Sequence, residues 1–428
     1  MTQIRLIPNK LKGEVEIPPS KSLAHRAIIC ASLAKGESII SNIDYSEDII
    51  ATICAVKSLG ANIKQVDNTL YIKGIEAQVN NNIQIDCNES GSTLRFFVPI
   101  STLFANTVNF IGQGNLGKRP LTAFYEIFDK QSIKYSYKEQ ELDLNIQGTI
   151  KPDTFTLRGD ISSQFITGLL FTLPLLQGDS KIIITTALES KGYIDLTLQM
   201  LEMFGITIEN QDYQTFIIKG NQNYKPTNYK VEGDFSQAAF FLIAGALGND
   251  ITVKNLNPHS YQADKEVIEL LRKIGANIKV TDTHIKATKN ELKNIVMDGS
   301  ECPDIVPIMA LILSVCIGAS EINNVARLRI KECDRLSAIN LELSKLGAKI
   351  QEFSDSLKID GVRELIAHKE ISSHKDHRIA MMIAIAVTIC QNEIILHDPE
   401  CVAKSYPSFW EDYQSLGGII EYLEEANE

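Results

Sequence analysis

Cations, hydroxyls and amides cluster where helices should begin. In Pro18-Pro19-Ser20-Lys21-Ser22-Leu23-Ala24-His25-Arg26, two prolines stop a strand and an apolar helix follows. Lys21, Ser22 and Arg26 fall at its start, where free N–H groups and the helix dipole favour an anion. Read blandly, Ser20 is an N-cap and both cations are solvated. Glu89-Ser90-Gly91-Ser92-Thr93-Leu94-Arg95 has the same logic, with Gly91 permitting close backbone approach to a ligand. Glu89 is out of keeping, because a carboxylate repels an anion; it is expected to cap the helix or pair with an arginine. Asp160-Ile161-Ser162-Ser163-Gln164-Phe165 offers two hydroxyls and an amide at a third strand-to-helix junction, which suits a phosphate. The glycine-rich stretch 112–120 carries Lys118 and Arg119 and reads as a loop able to close over a ligand.

The second half holds Cys302-Pro303-Asp304 before an apolar helix, and Arg327-Leu328-Arg329-Ile330-Lys331-Glu332-Cys333-Asp334-Arg335. Lys331 and Arg335, four apart, are expected to share a helix face. Asp376-His377-Arg378 opens another apolar helix, and Lys404 lies in Cys401-Val402-Ala403-Lys404-Ser405-Tyr406-Pro407. Each motif alone has an ordinary structural explanation. Together they aim several helix N-termini and cations at one place, and so predict a ligand with at least two anionic groups.

Composition narrows the field. The chain has 428 residues, 44% hydrophobic and 22% charged, with a formal net charge of -11, which disfavours nucleic acid and anionic membranes as partners. Eight cysteines are scattered without a CxxC pair, so a zinc or redox motif is not expected and a reducing, cytoplasmic setting is. The N-terminal residues lack the apolar run of a signal peptide. The longest apolar stretches, 306–319 and 379–390, are too short to span a bilayer and read as core helices.

The elements that position these motifs recur. An apolar residue, Gly, a small residue and then a β-branched one return around Gly60, Gly205, Gly275, Gly347 and Gly417, with a degenerate copy at 129–133 placing Lys130 at the glycine position. The markers at 60, 130, 205, 275, 347 and 417 lie 70 to 75 residues apart. Each glycine suits a helix C′ residue with positive φ. An apolar helix and a strand interleave with every marker, an alternating α/β pattern. A closing strand follows the first five markers, but the chain ends too soon after the sixth, so residues 4–6 are expected to supply it. Six repeats then form two domains of three, 18–231 and 1–17 with 232–428, with crossings near 17–19 and 229–233. A cleft between such domains is a natural ligand site. A monomer is expected, since two crossings already tie the domains together.

The ordered landmarks PPSKSLAHRA, SGSTLR, GKRPL, SSQF, SKGYI, GDFSQAA, PD at 303–304, RIKECDRL, DHRIAM and AKSYP resemble the 5-enolpyruvylshikimate-3-phosphate synthase family over essentially the whole chain. The resemblance implies the two-domain α/β enolpyruvyl-transferase fold, an inside-out barrel with three βαβαββ units per domain. It implies shikimate 3-phosphate and phosphoenolpyruvate as substrates, with no cofactor and no metal. Lys21, Ser22 and Arg26 would hold shikimate 3-phosphate, Lys21 also touching phosphoenolpyruvate. Ser162, Ser163 and Ser190 would take its phosphate; Gln164, Tyr193, Asp304 and Lys331 its hydroxyls. Arg119, Arg335, Arg378 and Lys404 would clamp phosphoenolpyruvate, with a backbone contact from Gly91 and His377 orienting that substrate. Glu332 would serve C3, with Asp304 or Lys21 at the attacking hydroxyl.

Two positions depart from the family pattern. Glu89 stands where many members have Asn, and Arg327 where some have Asn, which puts those substrate contacts in doubt. A related transferase acting on a UDP-amino sugar is the nearest rival. It usually carries a cysteine where Gly114 stands, and the Ser162-Ser163-Gln164 triplet favours shikimate phosphate. A non-catalytic ligand-binding paralogue is disfavoured by the retained carboxylates and cations.

Overall fold

The computed structural model describes residues 2–76, 79–366 and 370–423. Six four-stranded sheets share one order, in which two parallel strands are followed by two antiparallel ones. One instance is Thr154–Leu157, Ser180–Ile184, Thr215–Ile218 and Ile208–Gln211. The chain divides into two compact units, Met1–Pro18 with Gly233–Glu428, and Pro19–Glu232.

Each repeat has one buried helix after its first strand. In the unit built from Gly233–Glu428 these are Phe235–Ala246, Val306–Leu313 and His377–Val387, buried at every residue and packed on one another. Nearly unbroken apolar sequence is what a helix surrounded on all sides requires. In the other unit they are Lys21–Leu33, Gly91–Ser101 and Ser163–Thr172. Their residues are buried except Lys21, Ser22, Ser92 and Gln164, all within the first two positions of a helix. The polar helix starts are thus the points where this core opens.

The N-terminal strand Gln3–Ile7 fills the missing place in the sixth sheet, pairing antiparallel with both Ile394–His397 and Ile419–Leu423. The next strand, Lys12–Glu16, leads into the helix Lys21–Leu33 yet pairs in parallel with Asp250–Lys254. Reciprocally, Asn228–Lys230 leads toward the helix Phe235–Ala246 but pairs in parallel with Glu37–Ser41. The two crossings therefore exchange leading strands between the units.

Five expected glycines end their helices with φ between +81° and +101°. In the sixth copy the left-handed residue is Ser132 (φ +57°), not the Lys130 position expected from the pattern. The helix Thr122–Gln131 runs past Lys130, and the capping bonds Ser132 N to Asp129 O and Ile133 N to Phe128 O match those of Gly60 N to Lys57 O and Ala61 N to Val56 O. Among the described residues no helix is long and apolar enough to cross a membrane.

Candidate active site

In the unit Pro19–Glu232, Arg26 is the most buried of the expected cations. Its Nε donates to Thr197 Oγ1 (2.9 Å), Nη1 to Ser22 O (2.7 Å) and Nη2 to Tyr193 O (3.0 Å), while its guanidinium lies over the rings of Phe96 and Tyr193. Burial pulls its pKa down to about 10, so it stays charged at neutral pH. Lys21 turns to Asp48, with Nζ 2.8 Å from Oδ2. Between them, His25 is fully buried, and that burial lowers its pKa to about 3. The neutral ring meets Thr52 Oγ1 (2.7 Å), which meets Thr93 Oγ1 (2.8 Å), which donates to Ser90 Oγ (2.8 Å).

A second group forms around Gly91. A Cβ there would lie 2.8 Å from Arg119 Nη1, 3.3 Å from Arg95 Nη1 and 3.5 Å from Gln164 Oε1. Only the missing side chain lets two guanidinium groups and an amide meet the backbone at this helix start. Gln164 accepts from Arg95 Nη1 (2.7 Å) and donates to Ser92 Oγ (3.0 Å). Ser162 caps the helix by accepting from Gln164 N (3.3 Å), and Ser163 is buried beside it. Ser190 begins the helix Lys191–Met203 in a left-handed conformation and is tied to Tyr193 through Tyr193 N donating to its carbonyl (3.1 Å). Glu89 is not the helix cap; Ser90 is, by accepting from Thr93 N. Instead the Glu89 carboxylate packs against Gly114, where a Cβ would fall 2.1 Å from Oε1. Within 112–120, Leu116 is buried and Gly117 lies against the Glu141 backbone, while Gln113, Gly114, Asn115 and Lys118 are exposed.

In the unit containing Gly233–Glu428, charges interlock. Arg335 is buried and serves three carboxylates: Nε donates to Asp376 Oδ2 (2.7 Å), Nη2 to Glu332 Oε2 (2.6 Å) and Asp376 Oδ1 (3.3 Å), and Nη1 to Asp304 Oδ1 (3.1 Å). Asp304 is also reached by Lys331 Nζ (3.7 Å) and Arg378 Nη2 (3.4 Å). Arg378 donates to Ser236 O (3.0 Å) and Oγ (2.8 Å), and Lys404 Nζ lies 3.8 Å from Glu332 Oε1. His377 is buried with Nδ1 3.9 Å from Asp376 Oδ1.

These contacts set the protonation states. Burial alone would raise the Asp304 pKa, but Lys331, Arg378 and Arg335 together hold it well below the usual carboxylate range. Burial brings Lys331 down to about 8, helped by the charges of Arg335 and Arg327 and opposed by Asp304. Arg335 is held firmly protonated, its three carboxylates outweighing its burial. Asp304 is thus an ionised acceptor, and Lys331 can change charge near physiological pH.

Lys331 and Arg335 do not share a helix face. Asp334 caps the helix Arg335–Lys345, and Lys331 sits before it on extended backbone. They converge on Asp304 from different elements. Asp376, Arg95, Thr197 and Asp48 join these groups without having been singled out from the sequence. For Asp376 and Arg95 a signal existed: one immediately precedes His377-Arg378, and the other lies one helical turn after Gly91.

The chain belongs to the EPSP synthase (3-phosphoshikimate 1-carboxyvinyltransferase) family, whose model matches residues 6–413. A 3-phosphoshikimate 1-carboxyvinyltransferase of Clostridium perfringens is 60% identical over 423 residues, covering 98% of this chain and 100% of that one. Its counterpart in Clostridioides difficile is 57% identical, covering 98% and 99%. The solved EPSP synthase of Acinetobacter baumannii matches with a TM-score of 0.81 at 24% identity, covering 99% of this chain and 100% of that chain. The enolpyruvyl transferase NikO of Streptomyces tendae matches at 0.79 and 14% identity, covering 99% and 98%. Those two likenesses establish the two-domain enolpyruvyl-transferase fold.

Proposed function

We propose that the chain transfers the enolpyruvyl group of phosphoenolpyruvate to the 5-hydroxyl of shikimate 3-phosphate and releases phosphate. The observation that carries this reading is the Asp304–Arg335–Glu332 constellation, in which two carboxylates meet one buried guanidinium among three further cations. Phosphoenolpyruvate must gain a proton at C3 as the 5-oxygen bonds to C2 and loses its own proton. The tetrahedral intermediate then gives up the C3 proton, and the C2–O bond to phosphate breaks. One site must give a proton and later take one back from the methyl group so formed, work suited to a carboxyl group. We assign it to Glu332, with Asp304 or Lys21 receiving the hydroxyl proton. Lys331, Arg335 and Arg378 hold Asp304 ionised, so it can accept the hydroxyl's hydrogen bond, although the same cations make it a weak base.

Arg119, Arg335, Arg378 and Lys404 bind the carboxylate and phosphate of phosphoenolpyruvate, forked guanidinium groups matching planar anions. His377 orients this substrate and Gly91 contacts it through its backbone. Lys21, Ser22, Arg26, Ser162, Ser163, Gln164, Ser190, Tyr193 and Lys331 hold shikimate 3-phosphate. The reaction needs no metal or organic cofactor, because the cations carry the charge. Free, dispersed cysteines support a reducing cytoplasmic setting, the two chain crossings support a monomer, and the net charge of -11 disfavours nucleic-acid and anionic-membrane partners. The test is release of phosphate from phosphoenolpyruvate with and without shikimate 3-phosphate. Release only with both substrates is expected; folded protein that releases none overturns the assignment.

A further inference from the structure

We propose that Glu342, outside the set that meets substrate, is a positioning residue that aims Arg335 by pinning the turn 372–375. The inference rests on the reading of Arg335 as a ligand for phosphoenolpyruvate.

Glu342 lies seven residues after Arg335 on the helix Arg335–Lys345 and is fully buried. Its Oε1 contacts His374 Nε2 (2.7 Å) and accepts from Lys345 Nζ (3.1 Å). Its Oε2 accepts from Lys345 Nζ (2.8 Å) and from Ser372 N (3.3 Å). Burial opposes its charge, but the bonds to His374 and Lys345 keep its pKa below the usual value. An ionised carboxylate only accepts, so the His374 proton sits on Nε2. A site this buried would take an apolar side chain more cheaply if filling space were its purpose.

The turn it holds is strained. His374 and Lys375 adopt φ of +53° and +55°, two consecutive non-glycine residues in the left-handed region. Such a conformation persists only where its surroundings over-determine it. Besides Glu342, Ser372 Oγ accepts from His374 N (2.9 Å), and Ser373 Oγ accepts from Lys375 N (3.1 Å) while donating to Asp398 O (3.1 Å). Asp376 N then donates to Ser373 O (2.9 Å). The turn therefore delivers Asp376, whose two oxygens hold Nε and Nη2 of Arg335. Helix and turn are clamped at two points, Arg335 with Asp376 and Glu342 with His374, about 10 Å apart along the helix. With one clamp released, the turn can relax, and Asp376 swings the guanidinium with it.

The test is steady-state phosphate release by wild type, Glu342→Gln, His374→Phe and His374→Gln. Glu342→Gln and His374→Phe should raise KM for phosphoenolpyruvate roughly tenfold or more while leaving KM for shikimate 3-phosphate within about twofold. His374→Gln, which restores an N–H donor, should recover most of the loss. Equal changes in both KM values, or none, overturn the proposal, as does His374→Gln behaving like His374→Phe. Should Glu342→Gln fail to fold, the two His374 variants decide, because that side chain is partly exposed at the edge of the fold. Wild-type protein without turnover sinks the functional reading; an active wild type with an unchanged Glu342→Gln sinks only this inference.

Discussion

Replacing Arg335 by alanine should damage the protein twice. The guanidinium is the counterion of Asp376, which is wholly buried and would keep its capping bond from Arg378 N and a weak contact from Cys333 Sγ, neither of them a full positive charge. Removing one partner of a buried ion pair costs about 3–5 kcal/mol, because the other charge is left uncompensated. In a unit of this size that lowers the melting temperature by roughly 6–20 °C. Phosphoenolpyruvate binding should weaken by about 2–5 kcal/mol, the cost of truncating one member of a buried charge contact. The acid side distinguishes the cause. Asp304 has a depressed folded pKa, so its contribution is present above the unfolded carboxylate pKa and fades as pH falls toward the folded one. Without Arg335 that depression shrinks, and the stability gap between wild type and variant should narrow as pH drops below about 4. Calorimetry from pH 7 to pH 3, with titration of phosphoenolpyruvate at pH 7, measures both effects. The double variant Arg335→Met with Asp376→Asn should regain part of the stability and none of the affinity. A melting temperature within about 2 °C of wild type for Arg335→Ala at pH 7 would refute the charge-pairing argument.

Lys331, with its pKa near 8, should give kcat/KM for shikimate 3-phosphate an alkaline limb at about pH 8, falling as the ammonium is lost; Lys331→Arg should remove that limb from the measurable range. Thr197→Val deprives Arg26 Nε of its acceptor in a buried site and should cost about 1–3 kcal/mol, seen as a higher KM for shikimate 3-phosphate with KM for phosphoenolpyruvate unchanged. Ser132→Gly should stabilise the chain by about 0.5–1 kcal/mol in urea unfolding, by relieving a left-handed serine at a helix end. A destabilised Ser132→Gly would show that the serine side chain carries weight not seen in its backbone.

The repeat was legible because helix-ending glycines and apolar helices obey local rules that a short pattern captures. Ser132 escaped because a polar residue can take the left-handed position without announcing it, and apparent similarity then slid two residues to Lys130. Lys331 and Arg335 show the limit of spacing: four residues suggest a shared face only if one helix contains both, and the Asp334 cap decides otherwise. Asp376 and Thr197 were harder, since each matters through a partner 41 or 171 residues away. Elements follow from neighbours along the chain, whereas the pairing of side chains across elements follows from packing that no short window contains.

The exchanged leading strands order events during synthesis. Gln3–Ile7 is made well before its partners Ile394–His397 and Ile419–Leu423. At about 5–20 residues per second that wait is roughly 20–80 s. Pro19–Glu232 has all its strands once Asn228–Lys230 has emerged and can fold while translation continues. The unit bearing Asp304, Glu332 and Arg335 must instead hold Lys12–Glu16 in readiness until Asp250–Lys254 is made, and Gln3–Ile7 until Ile394–His397 and Ile419–Leu423 follow. Nascent chains stalled near residue 260 should therefore present one protease-resistant unit and a cleavable leader.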